Sequence, residues 1–226
     1  IAFTSGTTGM PKGTMHFHRD IMAICASVSD WTYQTRSARE AAGDAARAVQ
    51  AARAAPGRIA TLILPADCAW DEAAGPATPL PVAGPRRVDA AAIEQVAAAL
   101  KRGRRTLLLL RGDCLQRAGL AAAGRIARAT GARLAHDYFT PRITRGAGLP
   151  PIERIPYFAE EIVSHLSGLE QIVLVGAPPP VTFFAYPGKP SWVTPQGCDL
   201  LTLVEPQDDA TAALIQAVKS VAVIGD

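Results

Sequence analysis

The sequence has no apolar run near the roughly 18 residues that a bilayer-spanning helix needs, and its start lacks a basic segment followed by an apolar stretch. Neither membrane insertion nor a secretory leader is expected, and the chain reads as soluble and cytoplasmic. No Cys-x-x-Cys pair is present: the four cysteines, Cys25, Cys68, Cys114 and Cys198, are scattered. Zinc and dithiol chemistry therefore have no framework, no metal site is expected, and buried free thiols are. Charge of one sign is not in excess. Lys plus Arg number 23 against 20 Asp plus Glu, a net +3, too near balance for a nucleic-acid surface. Lysine is scarce, only Lys12, Lys101, Lys189 and Lys219 standing beside many arginines, and alanine is abundant, the bias of a GC-rich, bacterial gene. Aromatic residues are 6% and charged residues 19%, while 49% hydrophobic residues give a globular composition with a core. At about 150 residues per domain, 226 residues make roughly one and a half domains. The first residue is Ile1, so the sequence reads as part of a longer frame.

What is present alternates between helix and strand. Ala38, Ala41, Ala42, Ala45, Ala48, Val49 and Ala52 recur at helical spacing within residues 37–55, and Pro56-Gly57 stops them. Residues 58–64, an aliphatic run closed by Pro65, predict a buried strand. Pro76, Pro79, Pro81 and Pro85, with Gly75 and Gly84, make a stiff linker. Beyond it the pattern predicts helix 89–100 with Asp89 as N-cap, strand 106–110, helix 116–130, strand 133–135, a Pro/Gly loop to 156, helix 157–166, strand 171–175, a second loop, strand 199–204 and helix 208–218. The fold class expected is α/β, a Rossmann-like doubly wound parallel sheet with partial flanking elements. Ligands in such sheets sit at the carboxyl ends of strands, which marks Gly112, Asp137, Thr140 and Gly176 as a ligand edge, with Glu205 beyond. The G-x-G-x-x-G fingerprint is missing, because Gly146-Ala147-Gly148 runs into Leu149 and two prolines. Arg111-Gly112-Asp113 reads as a βα turn, and Asp67, Asp71 and Glu72 as solvated charge. Phe183, Phe184, Tyr186 and Trp192 form an aromatic loop that is sticky unless covered.

The first ten residues of chemical interest are of another kind. Thr4, Ser5, Gly6, Thr7, Thr8 and Gly9, followed by Lys12, gather backbone N–H groups, hydroxyls and one ammonium as a phosphate cradle would. The G-x-x-x-x-G-K-[ST] spacing of a Walker loop is absent, since Gly13 follows Lys12. His16 and His18 alternate but have no third ligand nearby. The string from Thr4 to Gly13, with Met15 to Asp20 after it, resembles the signature of AMP-forming acyl- and aryl-CoA synthetases. That resemblance implies contact of Thr4, Ser5, Gly6, Thr7, Thr8, Gly9 and Lys12 with ATP phosphates. It covers residues 1–27, and the family's later motifs are missing.

A second resemblance covers most of the rest. Gly57 to Trp70 is similar to the closing strand of the pyrimidine-binding domain in thiamine diphosphate enzymes of the acetolactate synthase type. The proline-rich linker and the stretches Arg104 to Asp113, Thr140 to Gly148 and Leu174 to Trp192 follow in the order of that family's central domain. The resemblance implies a division into a ligase-like segment 1–27, a pyrimidine-domain remnant 28–75, a linker 76–85 and a central Rossmann-like domain 86–226. It also implies a parent that uses thiamine diphosphate and magnesium on a 2-keto acid, as a homo-oligomer acting on a small-molecule substrate. In acetolactate synthase proper the central domain contributes to FAD binding. The activating glutamate and the G-D-G…N motif are missing, the closing Ile224-Gly225-Asp226 being too short to supply the latter. The expectation is a fragment with no catalytic residues of its own, inactive alone. An adenylate-forming ligase represented by its ATP loop and a non-catalytic α/β interaction module are the alternatives.

Overall fold

The computed structural model describes residues 2–4, 12–14 and 18–222, and it divides into two compact units, Ile1–Gly84 and Pro85–Asp226. In the first unit, β1 (Ala2–Thr4) and β2 (Lys12–Thr14) pair antiparallel, and helix α1 spans His18–Ser27. A β-α-β turn follows: β3 (Trp31–Gln34), α2 (Ala41–Arg53) and β4 (Ala60–Ile63), with β3 and β4 parallel and Trp31 beside Ala60. Helix α2 starts later than the expected residue 37, because Ser37 to Glu40 fold as a turn. Strand β3 went unanticipated, although its half-buried and exposed residues alternate as one-sided strands do. A short helix, α3 (Ala66–Trp70), precedes the linker, and Asp67, Asp71 and Glu72 are exposed there.

The second unit is built on a five-stranded parallel sheet. Its strands are β5 (Thr106–Leu110), β6 (Arg133–His136), β7 (Glu153–Arg154), β8 (Gln171–Val175) and β9 (Asp199–Val204), in the order β7-β6-β5-β8-β9. Both faces are covered, which is why β5 is four consecutive leucines and not an alternation. Leu108 and Leu110 pack on one face with Ile93, Leu120 and Leu214; Leu107 and Leu109 pack on the other with Ile155, Ile162 and Leu166. The first face carries residues of α4 (Ala90–Leu100), α5 (Arg117–Thr130) and α7 (Ala210–Ala222), and the second carries α6 (Ala159–Leu166). This is the doubly wound α/β arrangement that the sequence pattern predicts. Asp89 caps α4 as expected, its carboxylate accepting the Ala91 N–H at 3.1 Å. Helix α5 stops at Gly131, whose φ of 73° suits a residue without Cβ. All four cysteines are free; Cys68 and Cys114 are buried, whereas Cys25 and Cys198 are only half-buried, against expectation, Cys198 packing against the core on the α6 face of the sheet.

Candidate functional site: the carboxyl edge of the central sheet

Strand order reverses at β5, which has β6 on one side and β8 on the other, so the carboxyl ends of β5 and β8 flank the topological switch point. Gly112 opens a short 3-10 helix, Gly112–Leu115, directly after β5. Asp137 and Thr140 follow β6, and Gly176 follows β8. Pairing persists past the strand ends: the Arg111 N–H donates to the Val175 carbonyl at 3.0 Å, and the Gly176 N–H to the Val204 carbonyl at 2.8 Å. The register between β8 and β9 shifts at Leu174/Val175. Gly176 is required here. Its φ is +68°, and a Cβ would stand 2.9 Å from the Arg111 carbonyl oxygen.

Across the edge, Arg111 Nη1 lies 3.3 Å from Asp137 Oδ2, joining the loop after β5 to the loop after β6. His136 is 3% exposed, and its Nδ1–H donates to the Asp137 carbonyl at 2.8 Å. The Thr140 hydroxyl donates to the same carbonyl at 2.7 Å. Thr140 thus helps to hold the turn. Burial lowers the His136 pKa, with Arg145 and Arg154 adding to the effect against the Asp137 carbonyl, which favours the neutral imidazole. Cys114 sits beneath, its thiol directed at the Arg111 carbonyl at 3.2 Å; burial pushes it up to about 12, so it supplies no nucleophile.

A cleft of about 250 Å³ opens at this edge. Arg111, Asp137, Tyr138, Phe139, Phe183 and the Pro178-Pro179-Pro180 run are among its walls. Asp137 therefore lines the cleft, whereas Gly112, Gly176 and Thr140 are not among its walls. Arg111 was not singled out as a site residue. Its place immediately after a fully buried parallel strand was the available signal, since that position reaches the edge by topology alone.

At the other end of the chain, Thr4 stands opposite Lys12 in the β1–β2 register. The ends of the Gly/Thr/Ser loop are brought together by that pairing. Ser5, Gly6, Thr7, Thr8 and Gly9 lie outside the described residues, as does His16, and His18 opens α1. Among the described residues no cluster of three or more His, Cys, Asp or Glu is placed to hold a metal ion. None of their helices is long and apolar enough to cross a membrane.

Comparison with known proteins decides between the two resemblances over most of the chain. A protein of Mycobacterium tuberculosis, provisionally named acetolactate synthase large subunit IlvX, is 43% identical over 202 residues, which are 88% of this chain and 38% of that one. Over those residues the chain resembles the acetolactate synthase-like proteins. It spans well under half the length of the curated relative it matches. Solved structures share the fold. A Mycobacterium smegmatis protein provisionally described as thiamin diphosphate-dependent aligns with a TM-score of 0.64 at 23% identity, over 88% of this chain and 40% of its own. Benzoylformate decarboxylase from Polynucleobacter necessarius aligns at 0.62 and 20% identity, over 84% and 38% of the two chains. The thiamine diphosphate-dependent 4-hydroxybenzoylformate decarboxylase of Rhodococcus jostii aligns at 0.62 and 17% identity, over 85% and 39%. The family model for AMP-binding enzymes matches residues 1–55, which reaches beyond the phosphate-loop segment into β3 and α2.

Proposed function

We propose that the chain carries the end of a pyrimidine-binding domain and a whole central domain of a thiamine diphosphate-dependent, acetolactate synthase-like enzyme. Such a parent acts on 2-keto acids as a homo-oligomer in the bacterial cytoplasm, and the chain by itself does not turn over. The identity of 43% across 202 residues, confined to 38% of the relative's length, carries this reading. In this reading thiamine diphosphate and magnesium belong to the parent and are not expected to bind this chain alone, because the activating glutamate and the G-D-G…N motif are missing from the sequence. For FAD the sequence offers no G-x-G-x-x-G fingerprint. Of Gly112, Asp137, Thr140 and Gly176, Asp137 lines the small cleft beside Arg111. The test is calorimetry with thiamine diphosphate and magnesium, followed by carbon dioxide release from pyruvate and benzoylformate. No binding heat and no release above buffer are expected; measurable turnover refutes the reading.

A second reading rests on the AMP-binding match at residues 1–55. In it Thr4, Ser5, Gly6, Thr7, Thr8, Gly9 and Lys12 hold ATP phosphates, Thr4 closing β1 and Lys12 opening β2. Pyrophosphate release from ATP in the presence of aryl acids, lost in Lys12→Ala, would favour it over the first.

A further inference from the structure

Beside the Arg111 cleft is a second concavity, of about 270 Å³, on the loop before α6 and the loop after β8. Its walls are aromatic: Tyr157, Phe158, Phe183, Phe184 and Tyr186. The rings contact one another edge to face or tilted, with centroids 4.7 Å apart for Phe183–Phe184, 5.7 Å for Tyr157–Phe184 and 5.4 Å for Phe184–Tyr186. Rings crossed in this way offer both faces and edges to a flat guest. The charged feature of the lining is the ion pair between Lys189 and Glu160, beside the hydroxyls of Thr182, Tyr157 and Tyr186. It places a donor and an acceptor side by side with no net charge. A carboxylate guest would meet Glu160 and an ammonium guest Lys189; a neutral hydroxyl can use either partner, and a neutral carbonyl can accept from Lys189. Size narrows the class further. A cavity of about 150 Å³ already holds benzene, and pockets for drug-sized ligands begin near about 300 Å³. The space suits one ring and its substituent.

We propose that this pocket binds a neutral, single-ring aromatic molecule bearing one hydroxyl or carbonyl group. The assignment stands on the central unit alone and is independent of any thiamine diphosphate chemistry. It is tested on the whole chain by ligand-observed NMR titration with benzyl alcohol, cyclohexylmethanol and benzoate, with no cofactor or keto acid in the tube. Benzyl alcohol is expected to saturate, and cyclohexylmethanol and benzoate to bind at least about threefold more weakly. Phe184→Ala weakens benzyl alcohol about threefold to tenfold; Phe184→Leu, which keeps an apolar side chain but removes the ring, lies between it and the parent chain. Glu160→Gln leaves Lys189 unopposed and raises benzoate binding above that of benzyl alcohol. Equal binding of the saturated and aromatic alcohols, indifference to both Phe184 substitutions, or no preference switch in Glu160→Gln overturns the proposal. So does a sedimenting dimer that Phe184→Ala dissociates while benzyl alcohol fails to bind, since the rings then cover a second copy.

Discussion

Gly176→Ala probes the switch point directly, because two separable penalties fall on one atom. The residue's φ is +68°, and placing an L side chain in that left-handed region costs about 1–2 kcal/mol. The new Cβ would also stand 2.9 Å from the Arg111 carbonyl oxygen, which is backbone and cannot swing aside. Relieving that contact means parting the ends of β5 and β8 and lengthening the 3.0 Å bond from the Arg111 N–H to the Val175 carbonyl, a cost of about 1–3 kcal/mol for overpacking. Together they give roughly 3 kcal/mol, or a fall in melting temperature of about 9 °C at about 3 °C per kcal/mol for a chain of this size. Gly112→Ala is the control. Its φ is +78°, but nothing lies within 4 Å of the added Cβ, so it bears only the backbone term, about 1–2 kcal/mol and about 3–6 °C. Circular dichroism melts and urea unfolding of the two variants measure the difference. If Gly176→Ala melts no lower than Gly112→Ala, the close approach of β5 and β8 is not as described and the edge geometry fails with it.

Three further outcomes follow from burial. Leu120, fully enclosed between α5 and the sheet, should lose about 2–5 kcal/mol on Leu120→Ala, read as a lower urea midpoint. In a thiol-labelling time course, Cys25 and Cys198 should react while Cys114, with its thiol pushed up to about 12, and buried Cys68 wait for denaturant; fast loss of all four thiols contradicts the cores. His136 and His165 are both held below the ordinary 6.5 by burial first. Their unfolded forms therefore bind protons that the folded ones do not, and stability falls as pH drops from about 6.5 before levelling below the folded pKa values. Urea midpoints at pH 7.5 and 5.5 report this, and the difference should shrink in His136→Asn.

The central sheet was legible because its strands are buried on both faces. Leu107 to Leu110 and Ile172 to Val175 read as unbroken apolar runs bounded by polar or glycine residues, and the other α-helices and strands of that unit, β7 apart, followed from spacing alone. Strand β7 was not legible. It has two exposed residues, Glu153 and Arg154, paired to Ala135 and His136, and only the neighbouring β6 makes them a strand. Tyr157 and Phe158 fit a helical period and were placed in one, but α6 begins at Ala159 because both rings leave the helix to join the cluster with Phe183 and Phe184. The ligand edge was half legible. Topology put Gly112, Asp137 and Gly176 there, yet the Arg111–Asp137 pair depends on β5 lying beside β6, and Thr140's bond to the Asp137 carbonyl depends on the turn. Neither is encoded by local pattern.

The AMP-binding match ends at residue 55, but the packing argues for an earlier seam. Strand β3 and helix α2 fall inside that match, and each is held by residues beyond it. The Asp30 and Thr35 N–H groups donate to the Ile59 and Ile63 carbonyls, both at 2.9 Å. Asp30 in turn accepts the Ile59 N–H at 3.1 Å, and the Ser29 and Thr61 hydroxyls lie 2.6 Å apart. Within the turn, the Arg47 guanidinium pairs with buried Asp44 and sits 4.5 Å from the Tyr33 ring centroid. Cutting at residue 55 would strip β4 of its strand partner and leave β3 with none, whereas a cut before Ser29 severs a bond of 2.6 Å from the Ser29 hydroxyl to the Cys25 carbonyl and little else of that ladder. We therefore place the seam ahead of Ser29. A chain starting at residue 29 should keep the melting transition and urea midpoint of the whole chain within about 1 kcal/mol, the usual scale of a lost hydrogen bond. A chain starting at residue 56 should expose β4 and aggregate through its unpaired edge. If instead removal of residues 1–28 unfolds the β3–α2–β4 turn, judged by loss of amide protection at Thr35 and Ile63, the ligase-like segment is part of that unit and the seam lies further on.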